Sequence, residues 1–401
     1  MQSVAVQSVV DDIQSGDWGV ADPSVGLIEC VVLRSTDFKA VEQGKLTLVP
    51  RRYLKSRSVG QRVLRQGDLL VEMSGGSADQ PTGRLLLYSR SEDDGPVVFS
   101  NFVKRMRLAP EVDSSYFRFW WLNAYRQGKT RIYEKRTTGI RNFKLQDFLE
   151  NESIALPPLD EQRRIARILS TIQQAKEVAS LSANAQRRLK ASLAARLFSA
   201  SFLCGRASTV GDVVLSCQNG LYKPQSAYGP VGIPILRIND FDNDGEVVTT
   251  APLRIQASPK EVNSYGLVGG DILVNRVNSL SHLGKVALVE DPQEPMVFES
   301  NMMRLTVDQK RVLPQFLFYY LSTAQARAYM RSVAKRAVAQ SSINQGDLAA
   351  TPVMLPGIEV QQRVVEAISA ADAAVAACVR TEIEMHMVAS SALALLLTTS
   401  Q

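Results

Sequence analysis

Two stretches of the chain keep an apolar residue at every third or fourth position over roughly 40 residues each. In the first, Ile165, Ile168, Leu169, Ile172, Ala175, Val178, Leu181, Ala185, Leu189, Leu193 and Leu197 recur at helical spacing. Pro157-Pro158 forbids helix before it, Asp160 and Glu161 suit the positive end of a helix dipole, and neither Gly nor Pro occurs from Leu159 through Ala200. The second runs from Ile358 through Val364, Ile368, Ala371, Val375, Val379, Ile383 and Met387 to Leu396, again without Gly or Pro. At 1.5 Å per residue, each predicts a helix about 60 Å long, more than a small domain is wide. Paired antiparallel, two such helices make a spacer with a seam of Ala, Ile, Val and Leu. Ordinary bundle helices, one per domain, are the plainer alternative.

Ahead of each helix the pattern changes to short β-like runs, Gly26 to Leu33 and Val63 to Val71, then Ile233 to Ile238 and Asp271 to Val274, divided by Gly, Pro, Asn and Asp turns. The order repeats. Leu33, Arg34, Asp37 and Phe38 recur as Leu236, Arg237, Asp240 and Phe241, and Gly67-Asp68-Leu69-Leu70-Val71 as Gly270-Asp271-Ile272-Leu273-Val274, both shifted by 203. Ser100-Asn101 returns as Ser300-Asn301; the aromatic, helical Phe117, Phe119, Trp120, Trp121, Leu122 returns as Phe316, Phe318, Tyr319, Tyr320, Leu321. Leu156 to Ile165 is echoed by Leu355 to Val364. A period this long copies a whole domain with its helix, unlike a solenoid repeat. The expected fold is α/β (α+β): two mixed α/β domains, residues 1–155 and 204–354, separated by two long antiparallel helices, 156–203 and 355–401, in a pseudo-two-fold internal repeat.

Length and composition agree with two globular domains: 401 residues, 45% hydrophobic and 21% charged. A net charge of +6 and a pI near 9.1 point to an acidic partner such as nucleic acid. Cys30, Cys204, Cys217 and Cys378 form no zinc-ligand spacing and no disulfide framework, which fits a reducing compartment. The start lacks a signal-peptide pattern, and the apolar run Ala392 to Leu397 is too short to span a bilayer, so a soluble, cytoplasmic chain with no membrane partner is expected. The phosphate loop, dinucleotide turn, nucleophile elbow and zincin motifs are all missing, and His282 and His386 are the two histidines. The expectation is a binder with no catalytic residue, metal or cofactor of its own.

The basic residues cluster. Arg51, Arg52, Lys55, Arg57, Arg62 and Arg65 share a run with Tyr53 and no acid. Arg126, Lys129, Arg131, Lys135, Arg136, Arg141 and Lys144 lie against Glu134 alone, and Arg327, Arg331, Lys335 and Arg336 fall in a segment without acid from Ser322 to Gly346. A solvated charged face is the plain reading of any one run; recurrence at corresponding places favours DNA. Phosphate tracking needs Lys and Arg, and base reading needs Arg, Asn, Gln or hydroxyls on loops. The candidate DNA-binding residues are therefore Arg51, Arg52, Tyr53, Ser77, Gln80, Lys135, Arg136, Thr138, Arg141 and Asn142 in the first copy. In the second they are Tyr222, Lys223, Gln225, Arg276, Asn278, Ser281, Lys335, Arg336, Ser341 and Asn344.

Leu156-Pro157-Pro158-Leu159-Asp160-Glu161-Gln162-Arg163-Arg164-Ile165-Ala166, leading into a helix that ends Leu193-Ala194-Ala195-Arg196-Leu197-Phe198, resembles the specificity subunit of type I restriction-modification enzymes. So do Asn219-Gly220-Leu221-Tyr222-Lys223-Pro224, the following Ile233-Pro234-Ile235-Leu236-Arg237, and both Gly-Asp-(Leu/Ile)-Leu-Val runs. The likeness covers essentially the whole chain. It implies two target recognition domains held apart on double-stranded DNA by paired helices, reading a bipartite target without catalysis. It also implies two modification (methyltransferase) subunits as partners, which bring S-adenosylmethionine and methylate adenine. Restriction/translocase subunits using ATP and Mg2+ are a further implied partner. The second helix departs from the pattern, with Gly357 for Pro158 and Val360 for Glu161, and lacks the basic surface that Arg163, Arg164, Arg167, Arg187, Arg188, Lys190 and Arg196 give the first. A non-catalytic helical adaptor that reads no sequence, or an enzyme whose motifs are unrecognised, would share several of these features.

Overall fold

A computed structural model describes residues 3–46, 49–77, 80–89, 95–137, 140–199, 205–242, 245, 252–336 and 340–398. It divides into two compact units, 1–179 with 381–401 and 180–380. In the first, strands Val10–Ser15, Val103–Leu108, Leu69–Glu72 and Leu85–Leu87 form an antiparallel sheet in that order; in the second, Val214–Asn219, Met302–Val307, Ile272–Asn275 and Val286–Leu288 do the same. Both first strands carry an irregularity near their start, between Val10 and Asp12 and between Val214 and Ser216. A second sheet in each unit has one parallel pairing, Leu27–Leu33 with Val97–Phe99 and Ile233–Leu236 with Val297–Phe298. The duplication thus extends to topology and register.

Leu69-Leu70-Val71 and Ile272-Leu273-Val274 are three consecutive apolar residues because both faces of the central strand are covered. Leu69 and Val71 join one core with Phe117, Trp121 and Phe148, while Leu70 points to the other with Leu33, Phe38 and Phe99. Ile272 and Val274 likewise face Phe316 and Leu317, and Leu273 faces Phe241 and Phe298. The run Val63 to Val71 is shorter as a strand than its composition suggests: Ser56–Arg62 is helix, and the strand begins at Leu69 after a turn at Gly67, whose φ of +91° suits glycine. Asp68 closes that turn by accepting from the Arg65 N–H at 2.9 Å, and Asp271 accepts from the Val268 N–H at 3.1 Å.

The aromatic stretches are helices, Ser114–Arg126 and Pro314–Ser322, and the long helices span Leu159–Leu197 and Ile358–Thr398. One buried glutamine ties each long helix to its own domain. Gln162 donates to the Glu111 and Pro157 carbonyls at 3.0 and 2.9 Å and accepts from the Asp113 N–H at 2.9 Å. Gln361 donates to the Arg311 and Pro356 carbonyls and accepts from Leu313, all at 2.9 Å. Within the second unit the helices run antiparallel, since Ser182 meets Cys378 at 3.6 Å while Lys190 pairs with Asp372. Within the first, Leu393 and Leu397 join Ile165 and Leu169 in the core.

The apolar periodicity overstates the seam. Val178, Leu181, Leu189, Ile383 and Met387 are exposed, whereas Ala179, Ala183 and Ala389 are buried. Two helices in contact cover only a narrow stripe, and small alanines occupy it where backbones approach closely. Among the described residues no helix is long and apolar enough to cross a membrane.

Candidate nucleic-acid interface

The second basic run and the Gly-rich turn of the first unit meet on one small sheet. Strand Glu134–Thr137 pairs with Ile140–Phe143, which pairs in turn with Ser74–Gly75. The register sets Lys135, Asn142 and Ser74 in one row and Arg136, Arg141 and Gly75 in the next. The Ser74 hydroxyl lies 2.6 Å from the Asn142 amide oxygen, to which it donates. Ser77 and Gln80 close the adjoining turn: the Ser77 N–H donates to the Gln80 carbonyl at 2.7 Å, and the Gln80 N–H to the Ser77 hydroxyl at 3.1 Å. Thr138 lies outside the described residues.

The second unit builds the same sheet from residues about 200 positions later, Lys335–Arg336, Ser341–Ser342 and Val277–Asn278. Here Lys335, Ser342 and Val277 form one row, and Arg336, Ser341 and Asn278 the other. Lys335 and Arg336 are exposed, whereas Ser341 is buried. Arg276 donates to the Ser300 carbonyl at 3.3 Å, and the Asn278 side chain accepts from the Ser279 N–H at 2.8 Å. Ser281 and Ser279 lie 3.0 and 2.9 Å from His282 Nδ1. Asn344 caps the helix Gln345–Ala349 by accepting from the Asp347 N–H at 2.9 Å, so that amide already has a structural partner.

The turn Asn219 to Gln225 comes alongside through the Ser300-Asn301 pair. The Ser300 N–H donates to the Leu221 carbonyl and the Arg276 N–H to the Asn301 carbonyl. Gly220 permits this approach, because a Cβ there would stand 2.1 Å from the Glu299 carbonyl oxygen. Leu221 is buried and anchors the turn, Tyr222 projects at 76% exposure, and Gln225 is exposed. Lys223 pairs with Glu261 at 2.8 Å, which holds that carboxyl down at about 2.

Arg51, Arg52 and Tyr53 lie on a different sheet, in strand Arg51–Lys55. Arg51 pairs with Glu29 at 3.3 Å, and the Tyr53 hydroxyl donates to the same carboxylate at 3.3 Å, which raises the phenol. Arg52 stacks over Trp18 at 4.7 Å and reaches the Trp18 carbonyl at 3.3 Å. These partners are 22 or more residues away in sequence, so an acid-free run read along the chain is not acid-free in space.

Carboxylates complete the arrangement. Glu134, the one acid within the basic run and almost fully buried, accepts from the Thr82 N–H at 2.7 Å and its hydroxyl at 3.2 Å and pairs with Arg141 at 3.3 Å, joining the Gly-rich turn to the basic hairpin. Glu152 pairs with Lys129 at 2.9 Å and Asp147 with Lys144 at 3.0 Å. Sequence reasoning missed both of these; proximity could have signalled Asp147, three residues from its lysine. Among the described residues no group of three or more His, Cys, Asp or Glu side chains is placed to hold a metal ion.

The profile of the type I restriction modification DNA specificity domain matches residues 59–181 and 207–385. The type I restriction enzyme StySPI specificity subunit of Salmonella potsdam is 28% identical over 243 residues, 56% of this chain and 51% of that one, so the match spans about half the relative's length. The S subunit of a type I restriction-modification system from M. genitalium shares the fold, with a TM-score of 0.60 at 14% identity over 99% of this chain and 96% of that one. A structure described as the basis of complex assembly and conformational transition of the type I restriction-modification system gives a TM-score of 0.58 at 18% identity, over 99% and 97%.

Proposed function

The chain belongs to the type I restriction modification DNA specificity family, and from that premise we propose that it reads a bipartite duplex DNA target, one segment per unit, with unread base pairs between. It performs no chemistry itself. Two modification subunits bind it, supply S-adenosylmethionine and methylate adenine N6 within the target; restriction subunits that use ATP and Mg2+ join the same assembly. The observation that best supports this reading is the duplicated small sheet, which in both units gathers Lys and Arg beside Asn or Ser at matching register positions. Cations of this kind position a protein on phosphates, while amides and hydroxyls discriminate base edges.

The test is to map N6-methyladenine across the genome of cells that carry the modification partners, with and without this chain. Methylation at a two-part motif that vanishes without the chain is expected. Exchange of residues 1–150 for those of a relative should then alter one part alone. Methylation indifferent to the chain, or activity from the purified chain alone, would overturn the proposal.

A further inference from the structure

One repeated motif lies outside the small sheets. Leu33-Arg34 with Asp37-Phe38, and Leu236-Arg237 with Asp240-Phe241, form the same turn directly after strands Leu27–Leu33 and Ile233–Leu236. The leucines and phenylalanines are buried, and each aspartate accepts from its arginine's backbone N–H, at 2.9 and 2.8 Å. The same carboxylate holds the guanidinium through Nε and Nη2, at 2.9 and 2.8 Å in the first unit and 3.4 and 3.1 Å in the second. Nη1 of each arginine has no hydrogen-bond partner among the described residues. The arginine side chains are 43% and 30% exposed, whereas the aspartates beneath them are buried.

The backbone bond alone closes such a turn. Asp68 and Asp271 close theirs by accepting from the N–H of Arg65 in one unit and of Val268 in the other, so valine serves at that position. The side chains of Arg34 and Arg237 are therefore not needed to close their turns. Both turns are braced to the candidate interface. In the first unit Arg84 donates to the Ser35 carbonyl at 3.2 Å and pairs at 2.7 Å with buried Glu72, whose carboxylate a Cβ on Gly75 would approach to 2.8 Å. In the second, Lys285 donates to the Ile238 carbonyl and the Ile238 N–H to Glu299, both at 2.7 Å, next to the Ser300 carbonyl that takes Arg276.

The small sheets differ where base edges would be read, with Arg141 and Asn142 in one and Ser341 and Ser342 in the other. A group presented alike by both units suits the part of DNA that is the same at every sequence, its phosphates, which fix register without specifying bases. A guanidinium already held on two nitrogens keeps the third for a phosphate and loses little freedom on binding. Resting on the DNA-reading function above, we propose that Arg34 and Arg237 are a matched pair of phosphate contacts, one per unit.

The test measures binding of the full chain to two duplexes of unrelated sequence, one A·T-rich and one G·C-rich, by fluorescence anisotropy across a salt series. Arg34→Gln and Arg237→Gln should each lower the slope of log affinity against log salt by up to about 0.9, alike on both duplexes, and together by up to about 1.8. The charge-keeping Arg34→Lys with Arg237→Lys should retain the parent slope. A second measurement leaves the fold untouched: phenylglyoxal labelling of the parent chain, read by mass spectrometry, should modify both arginines in the free chain and neither under excess duplex. Unchanged slopes, a loss from only one of the two variants, an effect confined to the G·C-rich duplex, or labelling indifferent to DNA would overturn the inference while leaving DNA reading intact. A parent chain that binds no duplex at the lowest salt would overturn the DNA-reading function itself.

Discussion

Replacing Gln162 with Leu tests the tie between the long central helix and the first domain. The side chain is 1% exposed and satisfies three backbone groups at once: the Glu111 and Pro157 carbonyls and the Asp113 N–H. Asp113 in turn caps the aromatic helix by accepting from the Tyr116 N–H at 2.9 Å, so the glutamine fixes where two helices begin. Leucine fills similar volume but bonds to nothing. Each buried group left unsatisfied costs about 1–3 kcal/mol; the Glu111 carbonyl, on an exposed residue, regains water, so the two remaining groups set the loss at about 2–6 kcal/mol. With a urea slope of about 2 kcal/mol per molar, the midpoint should fall by about 1–3 M. All three tryptophans, Trp18, Trp120 and Trp121, belong to the first unit, so their fluorescence reports on that unit selectively. Gln361→Leu, which breaks the corresponding bonds in the second unit, should lower the transition followed by far-ultraviolet ellipticity by a similar amount. A fall below about 0.5 M in the fluorescence midpoint of Gln162→Leu would show that these bonds do not hold the helix start.

Glu134→Gln should free Arg141 from its carboxylate and steepen the salt dependence of duplex binding by up to about 0.9; an unchanged slope would mean that the pair does not restrain Arg141. Burial raises the Glu299 carboxyl, opposed by the hydrogen bond from the Ile238 N–H. A carboxyl whose folded pKa lies above its unfolded value contributes stability that is fully present below the unfolded pKa and is lost as pH rises through the folded one. Glu299→Gln should therefore gain on the parent in urea midpoints as pH rises above the ordinary glutamate range of about 4.3, and a pH-independent difference would contradict this. Burial pushes the Cys30 thiol up to about 11, so at about pH 8 roughly one thiol in a thousand is ionised. Alkylation of the native chain followed by mass spectrometry should leave Cys30 unmodified while Cys378, which is partly exposed, reacts; equal labelling would refute it.

Elements whose pattern repeats along the chain are legible in one dimension. Helical period, the Pro157-Pro158 start and the absence of breakers were enough to place the helix Leu159–Leu197 to within a few residues. The duplicated Gly-Asp-Leu-Leu-Val and Gly-Asp-Ile-Leu-Val runs marked the two central strands, because a strand covered on both faces carries consecutive apolar residues rather than alternating ones. The sequence also gathered Lys135, Arg136, Arg141 and Asn142 as one candidate group, since a hairpin joins neighbours in sequence. Which of the clustered cations meet a carboxylate is settled by packing. Glu29 reaches Arg51 from 22 positions away and Glu152 reaches Lys129 from 23, on strands and helices brought together by packing. Tertiary structure alone also decided that Ala179 and Ala183, rather than Val178 and Leu181, lie buried on the long helix. Periodicity shows that a helix has an apolar side, but the buried stripe depends on how closely the neighbouring backbone approaches. Local pattern carries the first kind of information because backbone propensity and burial act within a few residues; charge pairing and helix contact are set by distances in space, which a one-dimensional pattern does not encode.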